Sequence, residues 1–174
     1  MLYSLDIKYE TWNLRKAGLG SSRVARLIAS FFGTGLILRG VRGSDAGSGT
    51  VASVFAFPVA VLLGGLGPLV QVLSVVAVIG LAYWSVSTIV GAEGDAGWIV
   101  IDEAAGTFVA VIAFTWLPGL VALVVFRAAD IFKGVFPGVA TVDRAPGALG
   151  VVGDDLVAGL YGLAAGLAAS LWVF

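Results

Sequence analysis

The course of the chain depends on residues 104–126, AAGTFVAVIAFTWLPGLVALVVF, a tract without a charged residue. The tract is long enough for one membrane crossing, which needs roughly 20 helical residues. Pro118 lies near its middle, however, and proline removes a helix hydrogen bond. Two interpretations follow. A single span would separate Glu103 from Arg127 by about 35 Å, whereas a hairpin that turns around Pro118 would return Arg127 to the side of Glu103.

The positions of the charged residues favour the hairpin. With a turn around Pro118, the charged clusters at 93–103, 127–144 and 154–155 emerge on one face of the membrane. The other face then carries only turns and the C-terminus, without a charged side chain. Lys and Arg concentrate in cytoplasmic loops, and this arrangement places all 10 of them on one face. We therefore expect the charged face to be cytoplasmic.

Two further uncharged tracts, 46–92 and 156–174, predict the other crossings. Glycines and a proline at 64–68 indicate a tight turn that divides the first tract into two helices. Pro58 interrupts the first of these, which is short for a crossing. The predicted helices are Val51–Leu63, Leu69–Val90 and Leu156–Phe174.

The N-terminal part differs from the rest of the chain. Between Ser21 and Val41, the apolar stretch from Leu27 to Leu38 is bracketed by arginines and is too short to cross a bilayer easily. It is typical of an amphipathic helix that lies in the membrane interface. The predicted fold is thus all-α: a polytopic membrane helical bundle with a hairpin around Pro118 and an N-terminal interfacial helix. We predict one membrane-embedded domain, 1–174, with an interfacial segment over 1–46 and a catalytic bundle over 47–174.

The composition excludes several functions. Of the 174 residues, 59% are hydrophobic and 12% are charged, which favours a membrane protein. The 10 Lys and Arg nearly balance the 11 Asp and Glu, so a nucleic-acid partner is not expected. Cysteine and histidine are both absent, which excludes disulfides, thiolate or imidazole metal sites and catalytic triads that need imidazole. Catalysis must therefore use carboxylates, Lys, Arg, hydroxyls or a hard metal ion.

Paired acids occur twice at the start of an apolar helix that is rich in small residues. Asp102 and Glu103 begin one such helix, and Asp154 and Asp155 begin the other. Acids in a first turn also suit the helix dipole, which is the alternative explanation for a single pair. The hairpin brings both pairs to one face together with Asp130, where five carboxylates would repel one another without a cation. Oxygen ligands of this kind select Mg²⁺, with Ca²⁺ or Mn²⁺ as substitutes.

Cationic and hydroxyl side chains accompany these acids. Arg127 lies three residues before Asp130 on one helix face and is followed by Lys133, an arrangement that suits either a helix-end salt bridge or a phosphate clamp. Thr50 and Ser53 lie at the start of a helix, where free backbone N–H groups can hold an anion. An N-cap with a small-residue packing face explains that segment equally well.

In this order, the four clusters resemble the phosphatidylglycerophosphatase A family from roughly Gly47 to the C-terminus. The second motif is matched by Asp102, Glu103 and Gly106, with Asp95 upstream, and the third by Phe126, Arg127, Asp130 and Lys133. The last motif is matched by Gly150, Asp154, Asp155, Ala158 and Gly159, preceded by Asp143 and Arg144. The opening motif is only partly kept, because the chain has Ser48 and Ala52 where the family has proline and glycine.

The resemblance implies Mg²⁺-dependent hydrolysis of phosphatidylglycerophosphate to phosphatidylglycerol and phosphate in the bacterial inner membrane. Because the charged clusters emerge on the face expected to be cytoplasmic, we expect the active site there. The expected metal ligands are Asp102, Glu103, Asp130, Asp154 and Asp155. The residues expected to bind the substrate phosphate are Thr50, Ser53, Arg127, Lys133 and Arg144. The expected catalytic set comprises Arg127, Lys133 and the five acids. Activated water and an aspartyl-phosphate intermediate both stay open as mechanisms.

Two other functions remain as alternatives. A small transporter or ion pathway would use buried carboxylates to relay protons or bind cations, but the uncharged tracts offer only Gln71 and scattered hydroxyls. A CDP-alcohol-type lipid phosphotransferase would also use carboxylates and Mg²⁺ at the interface, yet the aspartate spacing differs from that family. The sequence does not indicate the oligomeric state.

Overall fold

The computed structural model describes residues 22–173, and these residues are helical with no β-strand. Helix α1 covers Ser22–Ala29, and a 3₁₀ turn at Thr34–Leu36 leads into α2. The other helices are α2 (Ile37–Arg42), α3 (Ser48–Gly65), α4 (Pro68–Glu93), α5 (Ile101–Ala110), α6 (Trp116–Ile131), α7 (Val139–Asp143) and α8 (Ala148–Val173). The prediction of an all-α membrane bundle is confirmed.

Helices α3, α4 and α8 are long and apolar enough to cross a membrane. Helix α4 has 26 residues and so extends about 39 Å, whereas the 18 residues of α3 extend about 27 Å. Pro58 lies inside α3 without interrupting it, so the predicted break there was wrong. A proline removes one hydrogen bond of the helix, a loss that membrane-spanning helices tolerate when neighbouring segments support the backbone.

The predicted hairpin is present, but its turn comes earlier than Pro118. Helix α5 ends at Ala110, and the chain reverses over residues 111–115, where Ala113 adopts a left-handed φ of 64°. Pro118 instead lies in the first turn of α6, where its missing N–H has no carbonyl partner to lose. The side chain of Gln71 fixes the turn, because its Oε1 accepts a hydrogen bond from the Ala113 N–H at 2.9 Å.

Helix α8 begins at Ala148, eight residues before the predicted start at Leu156. The acidic pair therefore lies inside the helix and not at its mouth. Gly150 explains the difference, because a Cβ at this position would lie 2.9 Å from the Asp143 carbonyl oxygen and would also overlap that of Ala145. Glycine here lets the first turn of α8 pack directly on the end of α7, a short helix that the sequence analysis did not predict.

The N-terminal segment contains two helices where one had been predicted. Helix α1 and the segment Thr34–Arg42 meet at a 75° bend. At the bend, Phe31, Phe32 and Gly33 have positive φ angles of 45°, 56° and 91°. A single helix through Leu27 to Leu38 is excluded by this backbone, since consecutive left-handed residues end an α-helix. Residues 1–21 of the predicted interfacial segment lie outside the described residues.

Close packing of α5 against α8 brings distant parts of the chain together. A Cβ on Gly106 would lie 2.7 Å from the Asp155 carbonyl oxygen, and a Cβ on Gly159 would lie 2.7 Å from the Gly106 carbonyl oxygen. Helix α6 packs on the other side, where a Cβ on Gly162 would lie 2.6 Å from the Ala122 carbonyl oxygen. Small residues at helix interfaces allow this close approach in membranes, and α8 is thus the centre of the bundle.

Candidate active site

A cluster of three carboxylates lies where α5 meets α8. Asp102 and Glu103 stand in the first turn of α5, and Asp155 faces them from α8. One oxygen from each side chain lies within 4.8 Å of the other two. Only 5% of Asp102 and 4% of Asp155 are exposed to solvent. The hairpin and the glycine contacts between α5 and α8 produce this cluster, which we call the carboxylate cluster.

The cluster leaves negative charge without a partner. Glu103 Oε2 and Asp155 Oδ1 are buried and have no hydrogen-bond partner among the described residues. The backbone N–H of Glu103 donates to Asp102 Oδ1 at 3.1 Å, but this single bond does not balance three buried carboxylates. Buried carboxylates need a cation or protons to offset their repulsion. Their geometry and all-oxygen donor set fit a hard divalent cation.

Arg127 borders the carboxylate cluster on the side of α3. Its Nη1 lies 2.8 Å from Asp130 Oδ2, and its Nη2 donates to Thr50 Oγ1 at 3.5 Å. Gly49 makes room for this arrangement, because a Cβ there would overlap the Glu103 carboxylate and lie 3.1 Å from Arg127 Nη2. The first turn of α3 therefore packs directly against an arginine and a carboxylate that are far apart in sequence.

Lys133 forms a second cationic position. It follows α6 in a loop that Tyr161 of α8 holds in place by donating a hydrogen bond to the Pro137 carbonyl oxygen at 2.8 Å. The Lys133 ammonium pairs with Asp154 and also with Asp143, the latter at 2.6 Å. Burial lowers the pKa of Lys133, but its hydrogen bonds to the two aspartates outweigh burial and raise it above the usual value. The same hydrogen bond from Lys133 lowers the pKa of Asp143.

The structure divides the five predicted metal ligands into two groups. Three form the carboxylate cluster, whereas Asp130 and Asp154 are paired with Arg127 and Lys133. Asp130 is still close enough to Glu103 and Asp155 for mutual repulsion. One oxygen of Asp154, Oδ1, is buried without a hydrogen-bond partner among the described residues.

The predicted phosphate-binding residues lie at different distances from this centre. Thr50 contacts Arg127 directly. Ser53 is buried one turn further along α3, and its hydroxyl donates to the Gly49 carbonyl oxygen at 2.8 Å. Arg144 is exposed at the end of α7, beside Asp143.

Three further polar residues were not among the predicted site residues. Asp143 binds Lys133, and it could have been found from its place directly before Arg144 in the matched motif. Asp45 Oδ1 and Ser48 Oγ are buried without a hydrogen-bond partner in the described part of the chain. An acid followed closely by a glycine and a serine at a helix start was the available signal for both.

Comparison with known proteins identifies the family. No curated protein and no solved structure matches the chain. Residues 27–170 match the family model of phosphatidylglycerophosphatase A, so the match begins well before Gly47, where the resemblance of the motifs starts. It covers most of the chain, including every residue of the carboxylate cluster and both cationic positions. The chain therefore belongs to the phosphatidylglycerophosphatase A family, and the activity of that family is phosphoric monoester hydrolysis.

Proposed function

We propose that this protein removes the terminal phosphate of phosphatidylglycerophosphate in a Mg²⁺-dependent reaction, and thereby makes phosphatidylglycerol for phospholipid biosynthesis. The observation that carries the proposal is the carboxylate cluster beside Arg127. A divalent cation and an arginine in contact with one phosphoryl group are a recurrent arrangement for phosphoryl transfer.

Asp102, Glu103 and Asp155 would hold the metal ion. Their buried oxygens include two without a hydrogen-bond partner in the described chain, which suits direct coordination. When bound, a divalent cation supplies Lewis-acid chemistry, since it polarises a phosphoryl oxygen and makes water more acidic. The absence of His and Cys agrees with a hard, oxygen-preferring ion.

Arg127 and Lys133 would bind the phosphoryl oxygens and offset the charge that develops on them. Arg127 presents a planar set of N–H donors that matches a phosphate. Asp130 holds the Arg127 side chain in place, and Asp154 and Asp143 do the same for Lys133. Thr50 extends the binding surface from α3, whereas Arg144 is better placed for a more distant part of the headgroup. We assign Ser53 to supporting the first turn of α3.

We propose the bacterial inner membrane as the location, with the site on the cytoplasmic face. Three helices are suited to crossing a bilayer. The cationic residues at Arg26, Arg127 and Lys133 all belong to the end of the bundle that contains the carboxylate cluster. Lys and Arg favour the cytoplasmic side. A phosphomonoester on a lipid headgroup lies at the interface, so the enzyme would not need to extract its substrate from the membrane.

Phosphate release by the full-length protein in vesicles tests the proposal. We expect release from phosphatidylglycerophosphate to stop when EDTA is added and to return with Mg²⁺, while excess phosphatidic acid competes weakly. Glu103→Gln should lower kcat by about 100-fold or more, because it removes a charge from the metal-binding set. Trapping of labelled phosphate on the protein would favour an aspartyl-phosphate intermediate over attack by water.

Glu93→Gln is the matched control, since Glu93 pairs with Arg26 away from the cluster, at 2.6 Å. This variant should keep the wild-type rate. Full activity in EDTA, or a Glu103→Gln variant with wild-type turnover at saturating Mg²⁺, would contradict the proposed metal site.

A further inference from the structure

A groove runs between α3 and α6, and Arg127 lies about halfway along its α6 wall. Its volume is about 370 Å³. The residues that line it are Thr50, Ser53, Val54, Leu123, Val124, Arg127, Ala128 and Ile131. From Ile131 to Leu123 the groove follows α6 for eight residues, or about 12 Å. It faces the surroundings of the bundle, because Val54 is 58% exposed and Val124 is 66% exposed.

The accessible lining of the groove is almost entirely apolar, and its few polar side chains are bonded to protein groups. Its hydroxyls, on Thr50 and Ser53, contact Arg127 and the Gly49 carbonyl oxygen respectively. The remaining walls are aliphatic, and Ala128 contributes little bulk, which leaves the space open. An arginine in the wall of an apolar groove is complementary in charge and polarity to one kind of molecule, an anionic headgroup that carries a hydrocarbon chain.

The groove is continuous with the site described above. Arg127 lines the groove and also borders the carboxylate cluster, where Gly49 brings α3 against both Arg127 and Glu103. A phosphate held by Arg127 would therefore lie next to the cluster while the chain attached to it extends between α3 and α6.

We infer that the α3–α6 groove binds an acyl chain of the lipid substrate, which enters the site sideways from the bilayer. This inference rests on the proposed function. The groove contacts only the part of the chain nearest the glycerol, because its length is about 12 Å. The enzyme should consequently discriminate against substrates whose chains are too short to fill the groove.

Val54→Trp tests the inference, because it places a large ring at the exposed edge of the groove without disturbing a buried residue. The measurement is kcat/KM for dioleoyl and dibutyryl phosphatidylglycerophosphate in the same detergent micelles. We expect the ratio of the two values, long chain over short chain, to fall about tenfold in the variant. Val76→Trp is the matched control, since Val76 is 61% exposed on α4 and lies outside the groove; its ratio should equal that of the wild type.

Photolabelling gives a second readout that needs no turnover. Phosphatidylglycerophosphate with a diazirine near the carboxyl end of its acyl chain should label segments 50–54 and 123–131 in the wild type, and less in Val54→Trp. An unchanged chain-length ratio, or labelling mainly elsewhere, would overturn the inference. A changed oligomeric state with unchanged selectivity would also overturn it, since the groove would then be a contact between copies of the chain. Failure of the proposed function has a different signature: the wild type would release phosphate from neither lipid.

Discussion

Helices α5 and α8 carry the same sequence feature, an acidic pair followed by small residues, yet they use it differently. In α5, both Asp102 and Glu103 belong to the carboxylate cluster. In α8, only Asp155 joins the cluster, while Asp154 turns away to Lys133. The helix position of each pair explains the contrast. The α5 pair stands in the first turn, whereas the α8 pair lies six and seven residues after Ala148.

Adjacent side chains on a helix project about 100° apart. Inside α8 the two aspartates therefore face different neighbours: α5 on one side and the loop that carries Lys133 on the other. At the start of α5 the backbone is less constrained, and the N–H of Glu103 itself binds the Asp102 carboxylate. The acidic pair of α5 thus places both of its charges in the carboxylate cluster. The pair of α8 places one charge in the cluster and the other beside Lys133.

The largest expected effect separates the two aspartates of α8. Asp155→Asn should lower kcat at least about 100-fold and abolish activation by Mg²⁺, because it removes one of the three cluster carboxylates. Asp154→Asn should lower kcat only about tenfold and keep the Mg²⁺ dependence, because its main partner is Lys133. Phosphate release as a function of Mg²⁺ concentration measures both effects.

Thermal unfolding provides the control for these two variants. Mg²⁺ should raise the unfolding temperature of the wild type and of Asp154→Asn, because a ligand that binds only the folded state stabilises it. For Asp155→Asn the temperature should not depend on Mg²⁺. Equal losses of Mg²⁺ response in both variants would show that the two aspartates do not differ as their positions suggest.

The contact between α5 and α8 gives the next largest effect. Gly106→Ala should destabilise the protein by about 1–3 kcal/mol, because the new methyl group would lie 2.7 Å from the Asp155 carbonyl oxygen and 2.5 Å from the Phe126 ring. The resulting separation of the helices should also lower kcat. Unfolding in detergent and phosphate release measure the two consequences.

Gly80→Ala is the matched control within α4, where an added Cβ would meet no atom within 4 Å. Alanine is favoured over glycine in helix interiors by roughly 0.5–1 kcal/mol, so this variant should be as stable as the wild type or more so. If the two variants behaved alike, the close approach of α5 and α8 would not determine the position of Asp155.

The sequence was sufficient for features that depend on composition and on the order of motifs. Uncharged tracts predicted the membrane bundle, and the distribution of charge predicted that Glu103 and Arg127 lie at the same end of a hairpin. The resemblance to the phosphatidylglycerophosphatase A family, based on its motifs, is confirmed by the family match. These features follow from the hydropathy and charge of each segment, and both properties are determined by the residues of that segment alone.

Features that depend on contacts between segments could not be predicted in this way. The start of α8 was placed too late because it was set at the beginning of the uncharged tract 156–174. The helix instead extends back through the acidic pair to Ala148, and Gly150 in its first turn packs against α7. Pro118 was taken as the turn, although a proline is equally suited to the first turn of a helix. The different partners of Asp154 and Asp155 depend on how α8 is rotated about its own axis. That rotation is set by the segments that pack against the helix.

The smallest expected effect concerns the opposite end of the bundle. Gln71→Leu removes the acceptor for the Ala113 N–H at the α5–α6 turn and should cost about 1–2 kcal/mol of stability, because it leaves a backbone donor without its partner. Ser74→Ala is the control, since the Ser74 hydroxyl donates to the Gln71 carbonyl oxygen of its own helix, at 2.7 Å, and not to the turn.

The activity of Gln71→Leu tests whether the turn at Ala113 also positions α5 against α8. If the glycine contacts alone fix α5 against α8, Gln71→Leu should keep kcat and the Mg²⁺ requirement within about twofold of the wild type, although it unfolds at a lower temperature. A loss of Mg²⁺ activation in this variant would mean that the turn at Ala113 also sets the register of α5. In that case the carboxylate cluster would depend on both ends of the hairpin, and the helix position of each acidic pair would explain only part of their difference.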